Sequence, residues 1–231
     1  MEQLPLGVRL RTTSSFASFH SGDNAALIAA LEARSRDSSL PPLWIWGPPG
    51  AGRSHLLQAA TARAGELGRR AGFLPLAAPW PTPALLGGFE SLDLVCLDDL
   101  DRVAADPAWQ HALFAFYNDL LERGGNLVMS AAAPPQTLPV TLPDLASRFA
   151  ASIVWQLRPL PEFEQAEALK VRAKALGVEL NDETLQYLQR RLPRDLGVLC
   201  DALDKLDGAA LAQQRRLTVP FVRTVLQLSG D

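Results

Sequence analysis

Apolar and polar positions alternate along this chain in two textures that meet near residue 159. Before it, short unbroken apolar runs recur: Leu43-Trp44-Ile45-Trp46, Ala71 to Leu76, Leu92 to Leu97, Asn126 to Ser130 and Ser152 to Leu157. Runs this short, without polar alternation, predict strands buried on both faces. Helical spacing lies between them. Ala25 to Ala33 turns Leu27, Ala30 and Leu31 inward, with Asp23 or Asn24 placed to cap it. Leu56 to Ala60 opens another helix. Trp109, Ala112, Leu113, Phe116, Tyr117, Leu120 and Leu121 form one apolar stripe that Asp106-Pro107 starts and Gly124-Gly125 stops. Strands alternating with helices predict an α/β fold, a parallel sheet covered on both faces.

From Pro159 onward the strand pattern disappears. Glu162 to Ala175, Asp182 to Leu192, Asp195 to Leu211 and Pro220 to Leu228 read as amphipathic helices punctuated by Gly177, Pro193 and Gly208. The predicted organisation is an extended tail over 1–15, an α/β core over 16–158 and a small all-helical domain over 159–231. Residues 34–42 read as a polar surface loop, and the Pro/Gly-rich stretch 77–91 leaves room for a short helix near Ala84 to Leu86.

Composition narrows the function classes. The 231 residues are 48% hydrophobic, ample for a core, and that content permits a homodimer. A net charge of −3 leaves no broad basic face for a DNA backbone, so direct sequence-specific DNA binding is not expected. Cys96 and Cys200 sit in an apolar strand and a helical pattern, as buried thiols in a reducing compartment would. His20, His55 and His111 lack ligand spacing. The first residues have no secretion-signal pattern and no run reaches membrane-spanning length, so a cytoplasmic protein without membrane attachment is expected.

Chemistry concentrates after the first apolar run, in Gly47-Pro48-Pro49-Gly50-Ala51-Gly52-Arg53-Ser54-His55. Strand, glycine-rich loop and helix in this order make a P-loop, whose inward backbone N–H groups and helix N-terminus bind phosphate. Ser54 stands where a hydroxyl holds Mg²⁺. Arg53 replaces the usual Lys; it keeps the charge but is bulkier, which favours nucleotide binding over turnover. The run ending in Asp98-Asp99 supplies a Walker B pair, Asp98 for Mg²⁺ and Asp99 to position attacking water.

These motifs, an Arg on a turn before the last strand (Arg148) and Arg194 early in a terminal helix together resemble the AAA+ ATPases. Among them the chain is similar to the family of the bacterial replication initiator DnaA and its truncated relative Hda. The likeness rests on Phe16 to Asn24, Gly50 to His55, Leu145 to Phe149 and Leu217 to Val222. It implies an AAA+ core with a five-stranded parallel sheet and a helical lid. It further implies that Phe19 and Asn24 line an adenine pocket, that Pro49, Gly50, Ala51, Gly52, Arg53, Ser54 and His55 hold ADP or another nucleoside diphosphate, and that Arg194 acts as sensor 2. Arg148 would be an arginine finger in trans on the initiator DnaA, making the protein a negative regulator of replication initiation with weak or no ATPase activity of its own. Gln3-Leu4-Pro5-Leu6 resembles a motif for the DNA polymerase III sliding clamp, contacted through Gln3, Leu4 and Leu6, with Gly7 where an aromatic or Leu would strengthen the second anchor. At sensor 1 the sequence offers only Ser130. The alternative is an autonomous AAA+ ATPase, or a DnaA-like adaptor or loader acting on another replication partner. The chain runs as far as the lid, without the initiator's helix-turn-helix domain, so any DNA contact is expected to be indirect.

Overall fold

The computed structural model describes residues 14–193, 195–213 and 215–228. Gln3, Leu4, Leu6 and Arg194 lie outside the described residues. Five apolar runs form strands β1 (Leu43–Trp46), β2 (Ala71–Pro75), β3 (Leu94–Asp98), β4 (Asn126–Ala131) and β5 (Ile153–Gln156). They pair in the order β2-β3-β4-β1-β5, every pair parallel, with Leu43 opposite Val128 on one side and Ile153 on the other. Parallel neighbours require crossovers, and helices α1 (Ala25–Arg36), α2 (Arg53–Glu66), α3 (Pro107–Glu122) and α4 (Pro143–Ala150) cover both faces of the sheet.

The period of two sorts the strand side chains. Leu43, Ile45, Leu94, Cys96 and Val128 pack under α1 and α2 with Leu27, Leu31, Leu56 and Leu57. Trp44, Val95, Leu97, Leu127 and Met129 pack on the other face with Trp109, Phe116, Leu145 and Phe149. Trp44 is fully buried; its indole N–H donates to the Ala133 carbonyl at 3.2 Å and its ring lies 5.2 Å from that of Phe149. The sheet margin at β5 stays thinly covered, with Ile153 and Val154 exposed.

Three expectations are corrected. The stretch read as a loop from residue 34 begins as helix, because α1 runs to Arg36, and Arg34 is buried at 3% exposure. Its Nε and Nη2 donate to the Pro41 carbonyl at 3.1 and 2.8 Å and its Nη1 to that of Ala30 at 2.9 Å, so the charged head is satisfied by backbone while its stem packs. Arg148 sits on helix α4 and not on a turn, Pro143 supplying the preset φ at its start. Asn24 occupies the position before α1 but makes no side-chain cap. Its amide instead donates to the Arg158 carbonyl at 3.0 Å and accepts from the Arg158 N–H at 2.9 Å.

Helices α5 (Glu162–Leu176), α6 (Asp182–Arg191), α7 (Leu196–Gln213) and α8 (Val219–Leu226) form the lid around Leu169, Leu188, Leu203, Leu206 and Val222. Asn181 caps α6 by accepting from the Thr184 N–H at 2.8 Å. No helix among the described residues is long and apolar enough to cross a membrane.

Candidate nucleotide site

The loop after β1 turns into α2 through Gly50 at φ +77° and Gly52 at φ +101°, a left-handed backbone that side chains rarely adopt. Space is equally restrictive. A Cβ on Gly52 would lie 2.6 Å from the Phe19 ring, and one on Gly47 2.5 Å from the Leu157 carbonyl oxygen just past β5. The loop is therefore clamped between the segment before α1 and the sheet margin. It forms one wall of a cavity of about 820 Å³, within the range of small-molecule and cofactor sites.

Phe19, Gly50, Ala51, Gly52, Arg53, Ser54, His55, Asp98 and Asp99 all line this cavity. The expected phosphate loop, hydroxyl and carboxylates thus converge. Two expected residues do not line it: Asn24, whose amide is consumed by Arg158, and Pro49. The lid closes the opposite wall with Ala168, Arg172, Leu196, Gly197 and Cys200, and the loop after β2 adds Trp80.

Asp98 is buried at 3% exposure. Burial, then the adjacent Asp99 charge, push its carboxyl above the ordinary carboxylate range, while hydrogen bonds from Ser130 and Ser54 and the Arg53 charge pull it back. Ser130 bridges the turn: its hydroxyl donates to Asp98 and accepts from the Asp99 N–H at 3.0 Å. Asp99 is held in the left-handed region at φ 54°, a conformation Asp tolerates better than most residues. The Arg53 guanidinium is spent on protein groups. Its Nη2 donates to Asp99 Oδ1 at 2.7 Å and its Nη1 to the Gly47 carbonyl.

His55 joins core to lid. Its Nε2 faces the Ser15 carbonyl at 2.9 Å and its Nδ1 faces Arg172 Nη1 at 3.3 Å, which fixes the proton on Nε2. Arg172, 5% exposed, also grips Asp204 through Nε and Nη2 at 2.9 and 2.6 Å. Burial opposes the Arg172 charge and Asp204 outweighs it, so its pKa rises. A second crossing joins His20 to Glu164 at 3.1 Å. At the start of α7 lid and core nearly touch: a Cβ on Gly197 would sit 3.2 Å from Gly50 Cα, and Asp195 accepts from the Val198 N–H at 3.1 Å while its carboxylate abuts Gly50.

The sequence reading missed Arg172, Gly197 and Trp80 and undervalued Ser130. Arg172 left a signal, since it falls at helical spacing among Ala168, Leu169 and Ala173, where a core-facing charge demands a partner. Cys96 is buried, its thiol pushed up to about 12 by burial, and takes no part in the site.

The cradle fits a nucleotide phosphate: Gly50 and Gly52, without side chains, line the cavity where the loop turns into the N-terminus of α2, a combination that binds anions. Ser54 and Asp98 are the pair that would hold Mg²⁺ beside it; among the described residues no cluster of His, Cys, Asp and Glu forms a separate metal site.

Comparison with known proteins follows the division of the chain. Residues 85–156 match the family model of the bacterial DnaA ATPase domain, and residues 162–226 match the Hda lid domain. This chain belongs to the DnaA/Hda family. Domain III of the Thermotoga maritima replication initiation protein DnaA superposes with a TM-score of 0.74 at 23% identity, covering 95% of this chain and 98% of that one. AMPPCP-bound DnaA from Aquifex aeolicus gives 0.67 at 25% identity, with 85% of this chain and 66% of that chain covered. The Thermotoga maritima RuvB Holliday junction branch migration motor, at 0.58 and 16% identity over 90% of this chain and 67% of that one, shares the fold. The family match makes the chain a DnaA-like AAA+ protein with an Hda-type lid.

Proposed function

We propose that this DnaA/Hda-family protein is a negative regulator of replication initiation that holds a nucleoside diphosphate, ADP in the first instance, and acts on the initiator DnaA. The observation that carries the reading is the state of two arginines. Arg53, in the protein's own phosphate loop, is committed to Asp99 and Gly47. Arg148 is exposed on the last turn of α4, beside the sheet margin, and no carboxylate pairs with it among the described residues, Asp144 included. A guanidinium free at a module's edge is available to a neighbouring molecule's triphosphate. There it would neutralise charge developing on the transferring phosphoryl, an effect worth about 10³-fold or more in rate.

In this reading nucleotide fills the cavity between core and lid, with the AMPPCP bound by the Aquifex relative as the supporting parallel. Ser54 and Asp98 would hold Mg²⁺, and Arg194 would touch phosphate from the lid. The tail motif Gln3-Leu4-Pro5-Leu6 would dock on a DNA-loaded sliding clamp, raising the effective concentration near initiator and tying inactivation to ongoing replication. The domain limits 1–15, 16–158 and 159–231 and a cytoplasmic location belong to the same proposal.

The test is initiator ATP hydrolysis measured with clamp, DNA and this protein. Wild type is expected to stimulate it, and Arg148→Ala to lose that stimulation by a factor on the order of 10² or more while still binding clamp. Unchanged stimulation by Arg148→Ala removes the finger.

A further inference from the structure

Arg53 stretches across the mouth of the phosphate loop from its first glycine to the end of β3. Nη1 donates to the Gly47 carbonyl and Nη2 to Asp99 Oδ1, and the side chains are only 10% and 24% exposed. Both anchors are themselves fixed. Gly47 is pressed against the Leu157 carbonyl, and the Asp99 turn is tied to β4 by the Ser130 hydroxyl. A planar fork with two terminal nitrogens can hold both anchors at once; a Lys ammonium presents a single point.

The pair neutralises the one cation that the loop itself carries. A diphosphate can still be held by the loop's backbone N–H groups and the N-terminus of α2. A triphosphate brings further negative charge toward the end of the cavity that Asp98 and Asp99 line. To balance it, Arg53 would have to leave Asp99 with an uncompensated, part-buried charge.

We propose that Asp99, through Arg53, is the specificity-determining residue that sets this pocket's preference for a nucleoside diphosphate over a triphosphate, in place of the water-positioning role its motif suggests. The inference rests on the nucleotide-pocket reading above and adds the device that selects among nucleotides. It is tested by calorimetric titration of the full chain with ADP and with the non-hydrolysable triphosphate AMPPCP. Asp99→Asn keeps the side chain's shape and its tolerance of the left-handed turn; Arg53→Lys removes the second prong. Wild type is expected to bind ADP more tightly, and each variant to move the ratio of the two affinities toward the triphosphate by about tenfold, the scale of one charge-assisted hydrogen bond. A merely structural pair would change both affinities alike. A ratio unchanged in both variants, with ADP binding to wild type intact, overturns the selection device alone. Failure of wild type to bind either nucleotide brings down the pocket reading, and this inference with it.

Discussion

Burial and the Asp99 charge hold the Asp98 carboxyl above the ordinary carboxylate range, so in the window just above that range the folded chain keeps a proton the unfolded chain has lost. Stability contributed by this group therefore falls as pH rises through the window and stays low beyond it. Asp93 slopes the other way, its pKa lowered by the Arg70 hydrogen bonds, but it is partly exposed and screened. Asp98→Asn is expected to raise the melting temperature near neutral pH and to flatten the decline that sets in as pH rises above the ordinary carboxylate range, measured by calorimetry across a pH series. Asp98 was legible in the sequence because an acid ending an apolar run keeps its meaning locally. The partner of Arg53 was not: Asp99 is distant along the chain, and only the parallel pairing of β1, β4 and β3 brings the two together. Arg34 misled for a related reason, since its polarity spoke for a loop while its backbone acceptors came from Ala30 and Pro41.

Among the elements, the strands and α3 could be read from periodicity alone, because their burial is two-sided or follows a single stripe. Helix α4 could not. Its buried pair, Leu145 and Phe149, fills one face of two turns, too short a stripe to stand out between Pro143 and β5. The joint between β1 and the phosphate loop was half legible. Gly47 was read as the first glycine of the phosphate loop, yet its lack of a side chain serves packing, for a Cβ there would meet the Leu157 carbonyl at 2.5 Å. Gly47→Ala is expected to destabilise the fold by about 1 to 3 kcal/mol, seen as a lower urea midpoint with unchanged slope. Backbone at the sheet margin must move to admit the methyl group.

At the scale of the molecule, core and lid meet around His55, Arg172 and Asp204, with His20 and Glu164 as a second crossing. None of these pairings shows in the sequence, where the two members of each lie far apart in different segments. Arg172→Ala would remove the bidentate pair with Asp204 and the contact to His55 Nδ1. A loss of about 2 kcal/mol is expected, below the range for a fully buried pair because Asp204 keeps some solvent contact. Equilibrium urea unfolding would measure it, with the lid helices losing structure first.

The Asn24 amide has a further consequence. By bonding both backbone groups of Arg158, it staples the chain to the sheet domain immediately before Pro159-Leu160-Pro161 and the start of α5. Two prolines stiffen what remains, so the link between sheet domain and lid has little slack, and Leu160 within it lines the nucleotide cavity. The strap that ends the sheet domain thus also fixes where the lid begins over the phosphate loop.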